Sequence, residues 1–201
     1  VSLLRLMAYN CEFINTRFYH ANLEEAEFEG CNFYNKDELT GADFTLANLK
    51  RAKFTNCNLS FSLLKKSDLF GAVIQGCQAQ ALDFKQANFC NRVSDKFFFA
   101  DIEITNCNLN SANFEGAQLA KCNLSSNRFN SANFRNADIS EADLTECELV
   151  DISWEFARMT GADLRNSVLA GFDVHKQDLA GVKIMQEQQK SLLEPLGIEI
   201  Y

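Results

Sequence analysis

Large apolar residues recur at every fifth position of this chain. They run Phe13, Phe18, Leu23, Phe28, Phe33, resume at Phe44, and continue in steps of five to Ile184. Of these 34 centre positions only Ala79 and Ser94 are not large and apolar. Two residues before each centre, 25 of the 34 positions hold Ala, Cys, Ser or Thr. The exceptions are Leu82, Arg92, Phe97, Ile102, Asn127, Ile152, Phe172, Gln177 and Val182.

A period of five is neither the helical 3.6 nor the plain strand value of two. In extended chain, residues two apart point to the same side. The small residue and the centre therefore both face inward, the polar residue between them faces out, and the next two turn a corner. Four such units close a square coil of about 20 residues, and stacked coils sit about 4.8 Å apart. The pattern predicts an all-β quadrilateral β-helix with Phe and Leu along its axis. The single proline, Pro195, lies after the last repeat, as expected where every backbone N–H is needed for a ladder.

Three segments break the pattern. Phe33 to Phe44 spans 11 residues, and Tyr34–Gly41 between them carries no repeat. In Arg92–Glu103, Arg92, Phe97 and Ile102 replace small residues and Ser94 replaces a centre. The third is the end of the chain, from Gly181 to Tyr201. The expected organisation is a lead-in at 1–10, repeats at 11–184, and a terminal segment at 185–201. In that segment Met185, Leu192, Leu193 and Leu196 share one helical face. Pro195 and Gly197 end the helix, and Ile198–Tyr201 alternates like an edge strand. The segment is expected to cap the open sheet edge and to present Met185, Leu192, Leu193, Leu196, Ile198 and Ile200 for dimerisation.

The units ANL at 21–23, ADF at 42–44, ANF at 87–89 and 112–114, and ADL at 142–144 resemble those of the pentapeptide-repeat family. The family fold is a right-handed quadrilateral β-helix. The two interruptions, with the Gly-Val-Lys-Ile and Leu-Leu-Glu-Pro-Leu-Gly stretches near the end, are similar to the quinolone-resistance (Qnr) subfamily, in which two loops project from the helix. The resemblance implies a loop A at about 34–41 and a loop B at about 92–103. It implies topoisomerase contacts from Tyr34, Asn35, Lys36, Asp37 and Glu38 in the first, and from Arg92, Ser94, Asp95, Lys96 and Phe98 in the second. Ala100 departs from the Cys common among relatives. The resemblance further implies a cytoplasmic homodimer that binds DNA gyrase and topoisomerase IV, protects them from quinolones, and imitates DNA.

Charge bears on that implication. The formal net charge is −8, which argues against direct nucleic-acid binding, since that needs a basic footprint. Residues 1–100 hold 11 acidic and 11 basic side chains, whereas 101–201 hold 16 and 8. Asp138, Glu141, Asp143, Glu146, Glu148, Asp151, Glu155 and Asp163 stand against Arg158 alone within 136–163. All eight sit at outward repeat positions and predict an acidic, DNA-like surface. Duplex DNA carries one charge per about 1.7 Å of axis, and three or four acids per coil reach a comparable density. The competing reading is that these acids only solubilise the outer face.

Seven of the eight cysteines, at 11, 31, 57, 77, 107, 122 and 147, take the small inward position, with Cys90 the exception. With no CxxC or Cys/His cluster they read as small buried hydrophobes rather than metal ligands. No cofactor is expected. His20 and His175 stand far apart, and no nucleophile–base set, phosphate loop or dinucleotide turn appears, so catalysis is not expected. No apolar run is long enough to span a membrane, and Val1-Ser-Leu-Leu-Arg does not read as a signal peptide. In Phe97-Phe98-Phe99, Phe97 and Phe99 are expected to pack inward, leaving Phe98 and Lys96 to a partner. Two other functions remain open at this point: immunity against a different topoisomerase poison, and a structural scaffold without a topoisomerase partner.

Overall fold

A computed structural model describes residues 1–92 and 98–198. Nine short strands lie among the described residues: β1 Met7–Tyr9, β2 Glu27–Glu29, β3 Tyr34–Asn35, β4 Thr40–Gly41, β5 Lys53–Thr55, β6 Ala72–Gln75, β7 Cys90–Arg92, β8 Phe98–Ala100 and β9 Ile102–Thr105. One wall is the parallel sheet β1-β2-β5-β6-β9. It is prolonged by the ladder Glu103, Asn123, Asp143, Asp163, Lys183, and three further walls are single-residue parallel ladders of the same kind. Ladder partners stand 20 residues apart, as in Glu12 and Asn32. The chain is thus a four-sided parallel solenoid. The first coil already contains β1 and the Ser2–Asn22 bridge, so residues read as a lead-in belong to the coil.

The insertions follow from ladder spacing. Partners move 26 apart across the first, as in Asn22 and Asn48, and 30 apart across the second, as in Gln78 and Asn108. The second insertion equals two repeats and leaves the five-residue phase intact. Phe99 therefore occupies a centre position in the sequence without being a centre of the fold. Ile102 and Glu103, read as loop, form part of β9 in the wall, and Ile102 is buried.

Corners have a common geometry. At the regular corners, away from the two loops and the C-terminal segment, the second residue after a centre has positive φ, as in His20 (φ 54), Arg51 (φ 55) and Glu141 (φ 56), with Gly30, Gly71 or Gly161 elsewhere. The following N–H closes onto the centre's carbonyl, as in Ala21 to Phe18 at 2.9 Å, which is the signature of a turn with a left-handed third residue. The turn leaves the N–H after each centre without a ladder partner. The Asn or Asp before the centre supplies one, as in Thr45 N to Asp43 Oδ1 at 2.9 Å and Arg135 N to Asn133 Oδ1 at 3.1 Å. This local side-chain bond is why the repeat prefers Asn or Asp there.

Inside, rings stack coil on coil. Phe84–Phe114, Phe114–Phe134 and Phe134–Trp154 have centroid separations of 4.6, 4.8 and 5.2 Å. The small centre Ala79 is followed by the large corner residue Leu82, both fully buried, so volume is conserved where the pattern lapses.

One corner differs from the other three. Its column runs Cys11, Cys31, Cys57, Cys77, Cys107, Asn127, Cys147, Ser167, one residue per coil. Here the N–H points up the column to the next side chain. Cys57 N meets Cys77 Sγ at 3.4 Å, Cys77 N meets Cys107 Sγ at 3.3 Å, and Cys147 N meets Ser167 Oγ at 2.9 Å. From Cys31 onward, each side chain donates back to a centre carbonyl of the first wall. Cys57 Sγ reaches Phe28 O, Cys77 Sγ reaches Phe54 O, Asn127 Nδ2 reaches Ile104 O and Ser167 Oγ reaches Leu144 O. Burial pushes the Cys147 thiol up to about 12, which keeps its proton available for donation to Leu124 O. The cysteines of this corner are hydrogen-bonding groups as well as small hydrophobes.

Candidate functional site

Loop A is the hairpin β3–β4, with Tyr34 paired to Gly41 and Asn35 to Thr40. Asn35 Oδ1 accepts from the N–H groups of Asp37 and Glu38, which closes the tip. Asn35 Nδ2 and Thr40 Oγ1 both donate to Asn15 Oδ1, tying the hairpin to the coil below. Tyr34 stacks on Phe61 at 5.6 Å, an aromatic partner that the sequence reading did not identify. Lys36, Asp37, Glu38 and Leu39 project outward and are exposed.

Loop B is the hairpin β7–β8, with Cys90 paired to Ala100, Asn91 to Phe99 and Arg92 to Phe98. It runs from Cys90 to Ala100 rather than from 92 to 103. Phe99 does not pack inward. It is 49% exposed and meets Phe70 edge-on at 5.4 Å, because the wall core at this level is already filled by Phe89 and Ile104. Ser94, Asp95, Lys96 and Phe97 lie outside the described residues, and for Arg92 and Phe98 the backbone places only the strand. A cleft of about 670 Å³ beside the hairpin is lined by Lys50, Arg51, Asp68, Phe70, Asn91 and Gln118 among others. Loop A leaves the corner after Phe33 and loop B the corner after Phe89. With four walls per coil, these are diagonally opposite corners.

The eight acids do not share one wall. Asp143 and Asp163 are neighbours in the first wall's ladder, Glu148 lies in the second, and Asp138 is a ladder neighbour of Arg158 in the fourth. Glu141, Glu146 and Asp151 occupy left-handed corners, and Glu155 follows Trp154 on the third wall. The band winds around the solenoid, because successive outward positions advance one wall every five residues. Four of the eight meet cations: Asp138 with Arg158, Glu141 with Lys121, Glu155 with Arg135, and Asp163 with Arg165 and Lys183. Asp143, Glu146, Glu148 and Asp151 form no salt bridge among the described residues. They run together from the first wall across the cysteine corner and along the second wall. Arg128 is the ladder neighbour of Glu148.

Asp138, Asp143 and Asp163 also accept the N–H of Ser140, Thr145 and Arg165. Asn performs that bond equally well elsewhere in the solenoid. The guanidinium of Arg165 holds the Asp163 carboxyl below its usual range.

The C-terminal segment folds as a 3-10 turn Gln186–Gln188, the helix α1 Gln189–Leu193, and a second 3-10 turn Glu194–Leu196. Leu192 is 6% exposed and packs into the chain's own core, so it is removed from the expected dimer surface. A helix this short turns one residue into the open coil end, and Leu192 is that residue. Leu193 and Leu196 are half-buried, while Met185 and Ile198 are exposed. Ile198 N donates to Leu193 O and forms no strand. Ile200 and the rest of the expected edge strand lie outside the described residues. Phe156, absent from the sequence reading of the site, is 74% exposed in a left-handed corner, a conformation that bulky residues rarely adopt. No helix of the described residues is long and apolar enough to cross a membrane.

Comparison with known proteins agrees with this geometry. The model of pentapeptide repeats matches residues 9–35, 38–60 and 107–145. The quinolone resistance pentapeptide repeat protein QnrB96 of Scandinavium goeteborgense is 38% identical over 58% of this chain and 55% of its own. The match spans about half the length of that relative. The pentapeptide repeat protein VPA0095 of Vibrio parahaemolyticus is 41% identical over 71% of this chain and 66% of its own. The solved structure of full-length QnrB1, described as a plasmid-mediated fluoroquinolone resistance protein, superposes with a TM-score of 0.91. It is 36% identical, over 98% of this chain and 100% of that one. A four-sided solenoid of this length, matched end to end at that identity, places the chain in the Qnr family of pentapeptide-repeat proteins.

Proposed function

We propose that this protein binds DNA gyrase and topoisomerase IV and protects them from quinolones. The observation that carries the reading is the end-to-end match to QnrB1, with a TM-score of 0.91 at 36% identity. In this reading the solenoid is right-handed, the protein is cytoplasmic, and it acts as a homodimer joined through its C-terminal segments. The unpaired acids Asp143, Glu146, Glu148 and Asp151 follow one another along the rod and present charge to a basic channel that otherwise holds DNA. Loops A and B, at opposite corners, then contact the enzyme on either side of the rod.

A competition experiment tests the binding. Gyrase loaded with labelled duplex is titrated with the protein at two salt concentrations. Displacement that weakens as salt rises is expected, because a charge-mimicking surface is screened. Full retention of the duplex at stoichiometric excess and low salt contradicts the DNA-mimic reading.

A further inference from the structure

The cysteine corner does not end at Ser167. Along this column each coil's side chain donates to the first-wall centre carbonyl one coil below, from Cys31 on Ala8 O to Ser167 on Leu144 O. The next carbonyl in that series is Leu164 O, and among the described residues the chain leaves the coil after Ile184, before a column residue can meet it. Gln188, in the 3-10 turn before α1, meets it instead. Its Nε2 donates to Leu164 O at 2.8 Å and to Ser167 O at 2.7 Å. Its Oε1 accepts the N–H of Met185 at 2.7 Å. One amide therefore uses both donors and its acceptor within the chain. Gln188 takes the place of the column residue of a missing coil.

We infer that Gln188 is the positioning residue that seats the C-terminal segment on the last coil and so sets the orientation of its exposed apolar face. The other contacts of the segment leave this role open. Leu192 is buried but non-directional, and the Lys190–Glu194 pair lies within the segment and is exposed. Only Gln188 bonds the segment by its side chain to the coil backbone among the described residues. An amide is required: a carboxylate accepts but cannot donate, and it would set its charge against two carbonyl oxygens. The inference rests on the reading that this segment forms the dimer contact.

The test uses the full chain and three versions of it: wild type, Gln188→Leu and Gln188→Glu. Hydrogen exchange follows the amide of Met185 and those of 189–197, and sedimentation reports the dimer constant. Gln188→Leu is expected to speed exchange of the Met185 amide at least about tenfold and to weaken dimerisation about tenfold, about 1.4 kcal/mol. Exchange in the coils up to Cys147 stays unchanged. Gln188→Glu still accepts the Met185 N–H but loses both donor bonds, and is expected to weaken dimerisation like Gln188→Leu at neutral pH. It recovers the dimer as pH falls through the carboxylate range, when a protonated carboxyl donates again; a role in bulk packing alone gives no such recovery. Wild-type exchange and dimer constants in Gln188→Leu overturn the inference. A monomeric wild type overturns the dimer reading instead, and the exchange data then decide the seating role alone.

Discussion

The backbone N–H of Cys107 donates to Oδ1 of Asn127 at 2.7 Å, and Asn127 returns two bonds through Nδ2, to Ile104 O at 2.6 Å and Leu124 O at 2.8 Å. Asn127 is the largest side chain of its column and is fully buried. It stands where other coils carry Cys, and it performs the same two-way exchange with shorter bonds. Asn127→Ala is therefore expected to orphan the buried Cys107 N–H and the Ile104 carbonyl, while Leu124 O keeps the Cys147 thiol, and to cost about 2–4 kcal/mol. Asn127→Cys restores the column's usual chemistry and is expected to cost less than half as much. Chemical denaturation of both variants checks the difference. Equal losses would mean that volume rather than hydrogen bonding governs the corner.

Gly41 closes loop A where the hairpin crosses the next coil. A Cβ at that position would stand 2.3 Å from Ser62 N and 2.5 Å from Ser60 O. These are backbone atoms of a neighbouring ladder and cannot move aside. Gly41→Ala is expected to destabilise the fold by about 1–3 kcal/mol and to separate Tyr34 from Phe61. Thermal melting measures the first. Tyrosine accessibility to iodination measures the second, and unchanged labelling would show that the hairpin absorbs the clash.

Charge and fold are separable at Asp143. Its carboxylate accepts the Thr145 N–H at 2.9 Å, and Asn makes the same bond at equivalent sites. Asp143→Asn is expected to hold stability within about 0.5 kcal/mol, while Asp143→Ala loses the local bond and about 1 kcal/mol. In the binding assay, Asp143→Asn combined with Glu146→Gln and Glu148→Gln is expected to weaken gyrase affinity and flatten its salt dependence. Undiminished, equally salt-sensitive binding by this triple variant would remove the strip from the interface.

Asp163 adds a pH dependence. Its carboxyl is lowered chiefly by the side-chain bond from Arg165, aided by the Arg165 N–H and the nearby Lys183. A group lowered in the folded state contributes stability above its unfolded pKa and loses it as pH falls through the folded value. The melting temperature is therefore expected to fall on acidification below the ordinary carboxylate range, and Asp163→Asn to show a shallower fall. Parallel melting curves for the two proteins across that range would contradict the assignment.

Phe156 carries an unfavourable conformation and an exposed ring that, among the described residues, has no aromatic neighbour of the kind that Tyr34 gives Phe61. Asn tolerates left-handed backbone far better. Phe156→Asn is expected to raise stability by up to about 1 kcal/mol, measured by denaturant titration. A loss of stability would show that the ring packs on its surroundings in solution.

The period of five made the coil legible, because an inward pair two residues apart and a fixed corner leave few alternatives. The interruption at loop A shows in the sequence, since an insertion of six residues shifts the phase. Loop B was blurred because ten residues are two whole repeats. Phe99 thus looked like a centre and Ile102 like loop. The hydrogen-bonding corner was hidden for a related reason. Cys31 and Cys57 are ladder neighbours only once the first insertion is subtracted, and Cys77 and Cys107 only once the second is. Asn127 looked like a lapse in the small-residue rule, whereas it fulfils a bonding rule that only the assembled column displays. A one-dimensional charge count does not show that the acidic band winds across four walls. Nor does it show that half its members are paired.

The most direct measurement of the central proposal is gyrase supercoiling in the presence of an inhibitory fluoroquinolone, with and without this protein at stoichiometric excess. The account predicts that supercoiling returns in proportion to added protein, and that a variant lacking the loop B hairpin restores much less while keeping the wild-type melting temperature. Supercoiling that stays inhibited at every ratio of folded protein to enzyme would contradict it.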